Sequence, residues 1–143
     1  MCYSVYLSTN SDQNFSRENS DLIRFRKMAA DEPFGSMLQH EHKLYVGSKS
    51  GCSCTFRHLT SVELGFSEPV DWYEEAKDEI LATRSLIMII RKLIDRGDQV
   101  DCIDVWYGAA EEDIVKKTVN LHTLEGKQFR FFENHLFRFV NQA

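Results

Sequence analysis

Residues 71–97 read DWYEEAKDEILATRSLIMIIRKLIDRG and carry the clearest helical pattern in the chain. Asp71 and Glu74 form a D-x-x-E capping box that predicts the start of a helix, and Gly97 predicts its end. Between them, apolar residues recur at helical spacing: Ala76, Ile80, Ile87, Ile90 and Ile94. Acidic residues fill the first turns and basic residues the last, which suits the helix dipole. Because residues 86–90 are apolar on every side, we expect the second half of the helix to be covered all round.

Short alternating segments on both sides of this helix predict β-strands. They are residues 2–8, 22–26, 43–48, 100–107 and 115–121, with 55–58 as a further short strand. Residues 129–132 and 135–140 predict a C-terminal hairpin, with Phe137 and Phe139 on one face and Arg138 on the other. The helix and strands do not alternate as βαβ units. We therefore predict an α+β fold, with an antiparallel or mixed sheet of six to eight short strands and one long helix packed on one face.

Length and charge narrow the class of protein. A chain of 143 residues predicts a single domain over 1–143. The net charge of −5 argues against nucleic acid or an anionic membrane surface as a partner. The longest apolar run, residues 86–90, is far shorter than the ~20 residues of a membrane-spanning helix, and no signal peptide is evident. We therefore predict a cytoplasmic protein that keeps its four cysteines as thiols: Cys2, Cys52, Cys54 and Cys102.

A loop dense in small residues, 47–58, is the leading candidate for a ligand site. Its glycines and serines let backbone N–H groups turn to one side, and such a nest can bind an anion. Lys49 and Arg57 add positive charge. The predicted ligand-binding residues are Gly47, Ser48, Lys49, Ser50, Gly51, Ser53 and Arg57. The same residues also suit a tight turn that needs no ligand, and the phosphate-loop signature is absent.

Sulfur chemistry is the alternative for the same loop. Cys52, Cys54 and His58 follow one another as C-x-C-x₃-H. If the fold brings Cys2 or Cys102 near them, these residues would offer soft metal ligands, although the one-residue spacing is shorter than in most zinc sites. A thiol enzyme or redox protein would instead use Cys52 or Cys54 with a lowered pKa, and His58 as the base. In either case the competing interpretation is that each cysteine is a small buried apolar side chain.

Three other polar residues are weaker candidates. His40 and His42 form an H-x-H pattern in a predicted loop and are a second possible source of metal ligands. Asp104 lies on one face of the strand at 100–107. We expect that face to be solvated, and a catalytic role for Asp104 only if the carboxylate is buried.

Three segments of the sequence are distinctive: MCYSVYLST at 1–9, YVGSKSGCSCTFRH at 45–58 and PVDWY at 69–73. Together they resemble a family of small uncharacterised bacterial proteins, and the likeness covers most of the chain. That family has no assigned activity, cofactor or catalytic residue. The resemblance therefore implies a bacterial, cytoplasmic, single-domain protein and assigns no role to any position.

The sequence favours a small binding domain without enzymatic activity. Its 47–58 loop would contact a small anionic ligand or a protein partner, and no cofactor or complete metal site is predicted. The alternatives are a thiol enzyme or redox protein that uses Cys52 or Cys54, and a zinc-stabilised module. The Phe-rich C-terminal hairpin also offers a strand edge through which the chain would form a homodimer.

Overall fold

The computed structural model describes residues 2–49, 51–59, 75–124 and 129–143. Within these ranges the chain contains one α-helix and eight β-strands. The helix α1 spans Lys77–Asp95. The strands are β1 (Tyr3–Thr9), β2 (Ile23–Lys27), β3 (His42–Ser48), β4 (His58–Leu59), β5 (Val100–Trp106), β6 (Val115–Asn120), β7 (Phe131–Phe132) and β8 (His135–Val140).

Six of the strands form one open, mixed sheet in the order β2-β3-β1-β5-β8-β6. Neighbouring strands are antiparallel except for β6 and β8, which are parallel. The two short strands β4 and β7 form a separate parallel pair. This arrangement confirms the predicted α+β class with a mixed sheet. That residues 1–143 form a single domain stays a prediction.

The sheet buries side chains on both of its faces. In β1, Val5 and Leu7 point to the face that α1 covers, whereas Tyr6 points to the other face, as the alternation of a strand requires. The helix-covered face holds the larger core. The second face holds a smaller cluster, to which Ile103 and Leu136 contribute from neighbouring strands. Of the residues described below, Asp104 lies on the helix-covered face, whereas Cys2 lines a pocket with Tyr6 and Val105 of the second face.

The helix begins later than the capping box predicts. Lys77 is its first residue, and Ala76 is an extended N-cap without a side-chain capping bond. Asp71 and Glu74 lie outside the described residues. The end of the helix confirms the prediction, because Gly97 has φ +93° and its N–H donates to Ile94 O at 3.0 Å.

The outer surface of α1 is less covered than its sequence predicts. Leu86, Ile90 and Leu93 are buried, but Met88 is 62% exposed. The prediction of an all-round cover is wrong, because the sheet contacts one side of the helix. Among the described residues, no helix combines the length and the apolar character needed to cross a membrane.

The predicted C-terminal hairpin is also wrong. Phe131–Phe132 pairs in parallel with His58–Leu59, and β8 lies between β5 and β6. Phe137 and Phe139 do share the buried face while Arg138 is exposed. Because β8 has a partner on each side, it is not a free edge for a homodimer; the sheet ends at β2 and β6. Homodimerisation itself stays a prediction.

Candidate three-thiol metal centre

The loop after β3 is closed by its own hydrogen bonds. Gly51 N–H donates to Ser48 O at 2.9 Å, and Ser48 N–H donates to Cys52 O at 2.7 Å. The Ser48 hydroxyl accepts from Thr55 N–H at 2.9 Å. Gly51 has φ +87°, a conformation that glycine adopts without strain. Because these three amides bond within the loop, they do not form the outward-facing anion nest that the sequence suggests.

Several residues of the predicted anion site have partners inside the protein. Arg57 is 1% exposed and binds Glu75, and Lys49 pairs on the surface with Asp78 at 2.8 Å. At Gly47, a Cβ atom would lie 3.0 Å from the Gly51 carbonyl oxygen, so close packing explains this glycine. Ser50 lies outside the described residues.

Ser53 attaches the loop to the sheet. Its side chain is buried, its hydroxyl donates to Val46 O at 2.7 Å, and the same oxygen accepts from Val5 N–H at 2.8 Å. Val5 and Val46 are opposite each other in β1 and β3. The hydroxyl therefore joins the loop to both strands at once, and Cys52 and Cys54 are held on either side of that attachment.

Three of the four cysteines come together at this point. The Sγ atoms of Cys2, Cys52 and Cys54 all lie within 4.8 Å of one another, and all three residues are partly buried. Cys2 directly precedes β1, and its carbonyl oxygen accepts from Tyr107 N–H at 3.1 Å. Cys102 lies outside this group and is fully buried in the core. The fold thus brings Cys2, and not Cys102, to the C-x-C pair.

The Cys54 thiol favours its protonated form. Burial, together with the neighbouring thiols of Cys52 and Cys2, raises the pKa of Cys54 to about 12. A nucleophilic cysteine needs the opposite shift, because the thiolate is the reactive form. The direction of this pKa therefore disagrees with the activated thiol that the sequence hypothesis requires.

His58 does not join the thiols. Its Nδ1 lies 2.7 Å from Asp104 Oδ2, and its Nε2 lies 2.6 Å from Ser53 O. Because a carbonyl oxygen only accepts hydrogen bonds, Nε2 carries a proton. Burial lowers the pKa of His58, but the charge of Asp104 and the bonds to both partners outweigh burial and raise it above its ordinary value. With both nitrogens engaged, His58 is neither a metal ligand nor a base for a thiol.

Asp104 is buried rather than solvated, so the sequence expectation for its strand face is wrong. Asp104 is 0% exposed because β5 lies inside the sheet and the side chain points to the helix-covered side. Its neighbours on the adjacent strands are Val5 in β1 and His135 in β8. Burial raises the pKa of Asp104, and the charge of His58 opposes this effect. The Tyr3 ring stacks on the His58 ring with centroids 3.9 Å apart and planes 4° from parallel.

A second buried ionic cluster lies beside this one. The Arg57 Nη2 atom donates to Glu75 Oε1 at 2.8 Å, and Arg57 Nε binds the other oxygen of the same carboxylate. Arg130 Nη2 lies 2.9 Å from Glu75 Oε1. Burial raises the pKa of Glu75, but the two guanidinium groups outweigh it and hold the pKa below its ordinary value. The cluster connects the three segments that directly precede β4, α1 and β7.

The two remaining histidine candidates are placed elsewhere. His40 Nε2 lies 3.5 Å from Asp101 Oδ1, and His42 Nε2 lies 3.9 Å from Glu41 Oε2. Neither belongs to the three-thiol group within the described residues. Sequence reasoning missed Tyr3 and Glu75, for which no local pattern gives a signal.

No family model, curated protein sequence or solved structure matches this chain. The resemblance to small bacterial proteins therefore stays a prediction.

Proposed function

We propose that this protein is a metal-binding domain that holds a soft cation, Zn²⁺ or Cu⁺, with the thiolates of Cys2, Cys52 and Cys54. The supporting observation is the approach of the three Sγ atoms to within 4.8 Å of one another. With Zn–S bonds of about 2.3 Å, the sulfurs of a tetrahedral site lie about 3.8 Å apart. Small side-chain rotations would therefore bring the three sulfurs to bonding distance of one ion.

The backbone that carries the three thiols is fixed before any ion binds. Ser53 attaches the C-x-C segment to β1 and β3 through its hydroxyl, and the Tyr107 amide binds the Cys2 carbonyl oxygen. A site whose supporting residues are already in place loses less conformational entropy when it binds. The partial exposure of all three cysteines leaves a path by which a cation enters.

The group offers three protein ligands. Among the described residues, no other cysteine, histidine or carboxylate joins the three sulfurs. Three protein ligands and one exchangeable position are typical of zinc sites that bind a water or a small molecule. On this basis the metal would bind a small exogenous ligand. The small-ligand function predicted from the sequence is thereby retained, with the metal instead of the loop amides as the binding group. A reducing, cytoplasmic location in a bacterium would keep the thiols available.

Metal analysis of protein purified in reductant without chelator tests this function. We expect one zinc or copper ion per chain, and Co²⁺ in its place should give the near-ultraviolet absorption of cobalt–thiolate bonds. Each of Cys2→Ser, Cys52→Ser and Cys54→Ser should weaken binding strongly, since each removes a metal ligand.

Cys102→Ala is the matched control, because Cys102 is the remaining cysteine and lies in the core away from the group. It should keep the full metal content. Absence of metal in the wild-type chain under titration, or equal binding by the Cys54→Ser variant, would overturn the proposed function.

A further inference from the structure

We infer that His58 and Asp104 are positioning residues of the three-thiol centre, which they orient through the Ser53 carbonyl group and the Tyr3 ring. This inference rests on the proposed metal-binding function. It states that His58 and Asp104 increase the affinity for the metal although neither residue is a ligand.

The first link runs from Asp104 to the C-x-C segment. Asp104 Oδ2 lies 2.7 Å from His58 Nδ1, and His58 Nε2–H donates to Ser53 O across 2.6 Å. The Ser53 carbonyl group belongs to the peptide unit that leads directly into Cys54. The hydrogen bond therefore fixes the plane of that peptide, and with it the direction in which the Cys54 side chain leaves the backbone.

The second link runs from the same ring to Cys2. Tyr3 directly follows Cys2, and its ring lies against the His58 ring at a centroid distance of 3.9 Å. The Tyr3 hydroxyl donates to Glu133 Oε1 at 3.1 Å, which holds the other end of the tyrosine. His58 thus touches both chain segments that carry the thiols, although the two segments are some fifty residues apart in the sequence.

The burial of this pair indicates that it does more than stabilise the fold. The side chains of His58 and Asp104 are 5% and 0% exposed, and Asp104 Oδ1 is buried without a hydrogen-bond partner. Replacing a buried ion pair by apolar residues of similar volume often leaves stability unchanged or improves it. Outer-shell partners of metal ligands are a place where such a pair has another effect, because they orient the ligands.

The test measures the metal affinity of the intact wild-type chain, of two single variants and of their double variant by competition with a chelator. His58→Gln removes one of the two bonds, since a glutamine side chain cannot span both partners as the ring does, and Asp104→Asn removes the negative charge that faces His58 Nδ1. We expect both variants to bind one ion with an affinity about 10–100-fold weaker, and the cobalt absorption to change in shape. The double variant should bind the metal no more weakly than the single variant with the lower affinity, because the two residues act in series.

Two controls separate positioning from stability. His40→Gln changes a histidine that contacts Asp101 instead, so its metal affinity should match the wild type. Leu93→Ala creates a cavity in the larger core under the C-terminal half of α1 and lowers stability by about 2–5 kcal/mol, yet should leave the metal affinity of the folded chain unchanged.

Each possible result of these measurements either supports or overturns the inference. Wild-type affinity in folded His58→Gln and Asp104→Asn overturns the inference and leaves the proposed function standing. If Leu93→Ala weakens metal binding as much as these two variants do, the effect is general destabilisation and the inference fails. If the wild-type chain binds no metal, both proposals fail. If His58→Gln does not fold, Tyr3→Leu replaces it, because this variant removes the stacked ring and keeps both hydrogen bonds of His58. Tyr3→Leu must then lower the metal affinity, and an unchanged affinity overturns the inference.

Discussion

Arg57 and His58 are neighbours in the sequence, yet they enter two different buried clusters. Arg57 joins Glu75 and Arg130, where two guanidinium groups share one carboxylate. His58 joins Asp104 and continues to the loop that carries Cys54. The first cluster connects segments that hold the fold together, whereas the second connects the sheet to the thiols.

The chemistry of the two clusters differs in a way that suits these roles. An arginine keeps its charge at any physiological pH, so the Arg57 cluster has no protonation state to change. The second cluster contains a histidine, whose charge can change with pH, and the charge of Asp104 and the hydrogen bonds to Asp104 and Ser53 raise the pKa of His58 against the opposing effect of burial. We conclude that one cluster is a fixed structural connection, and that the other is sensitive to its surroundings and lies next to the candidate site.

The largest effect is expected in thiol reactivity. The pKa of Cys54 is raised to about 12, so its thiolate fraction at neutral pH should be lower than that of a free cysteine by about three orders of magnitude. Alkylation of metal-free Cys102→Ala protein, followed by mass spectrometry, should therefore be slow at Cys54 and fast after unfolding. Rapid labelling of Cys54 in the folded chain that is lost in His58→Gln would instead favour the thiol enzyme, with His58 as the group that activates the thiol.

The next effect concerns the fixed cluster. Glu75→Gln removes the charge of the carboxylate that both buried guanidinium groups contact, and we expect a loss of about 3–5 kcal/mol in the free energy of unfolding. Urea denaturation measures this loss. Glu112→Gln, at an exposed glutamate, is the control and should change stability by less than about 0.5 kcal/mol. A similarly small change for Glu75→Gln would contradict the structural role of this cluster.

A smaller effect distinguishes the clusters by pH. His58 has a raised pKa in the folded chain, so its contribution to stability is fully present below the unfolded value of about 6.5 and is lost as the pH rises through the folded value. The stability difference between wild type and His58→Gln should therefore shrink on going from pH 6 to pH 9, roughly. The effect of Glu75→Gln should stay constant over the same range, and parallel pH profiles for the two variants would refute the distinction.

The smallest effect is expected at the surface of the same loop. Lys49 and Asp78 form an exposed ion pair at 2.8 Å, and water and salt screen such pairs so that they contribute little to stability. Lys49→Ala should therefore leave both the free energy of unfolding and the metal affinity nearly unchanged. A large loss of ligand binding in this variant would instead favour the anion site predicted for the loop.

The fold class could be predicted because it depends on local patterns. Alternation identifies β1, β3 and β5 within one or two residues, and the glycine at 97 ends α1 as expected. Which strands pair is not a local property, and the C-terminal prediction failed for that reason. The capping box at Asp71 predicts too early a helix start, because the chain at Glu75 and Ala76 is not yet helical and Glu75 binds Arg57 and Arg130.

The candidate site could be predicted in part. The density of small residues and the C-x-C pair identify the loop, but the third thiol comes from Cys2, far away in the sequence. His58 stood out because of its nearness to Cys54, whereas its actual partner is Asp104, 46 residues further along. Interactions over such separations depend on the strand order, which a single sequence does not specify.

Ser53 has a consequence for how the thiols can be studied outside the protein. Its hydroxyl bonds to backbone atoms of two different strands, and its carbonyl oxygen bonds to a side chain anchored on a third. A synthetic peptide covering residues 47–58 would contain two of the sulfurs and His58, but it would lack the strand atoms that bond to the Ser53 hydroxyl and the Asp104 carboxylate that holds His58. Unlike a zinc-finger peptide, such a fragment should not acquire its geometry from the metal alone, and the loop should not be portable to another scaffold.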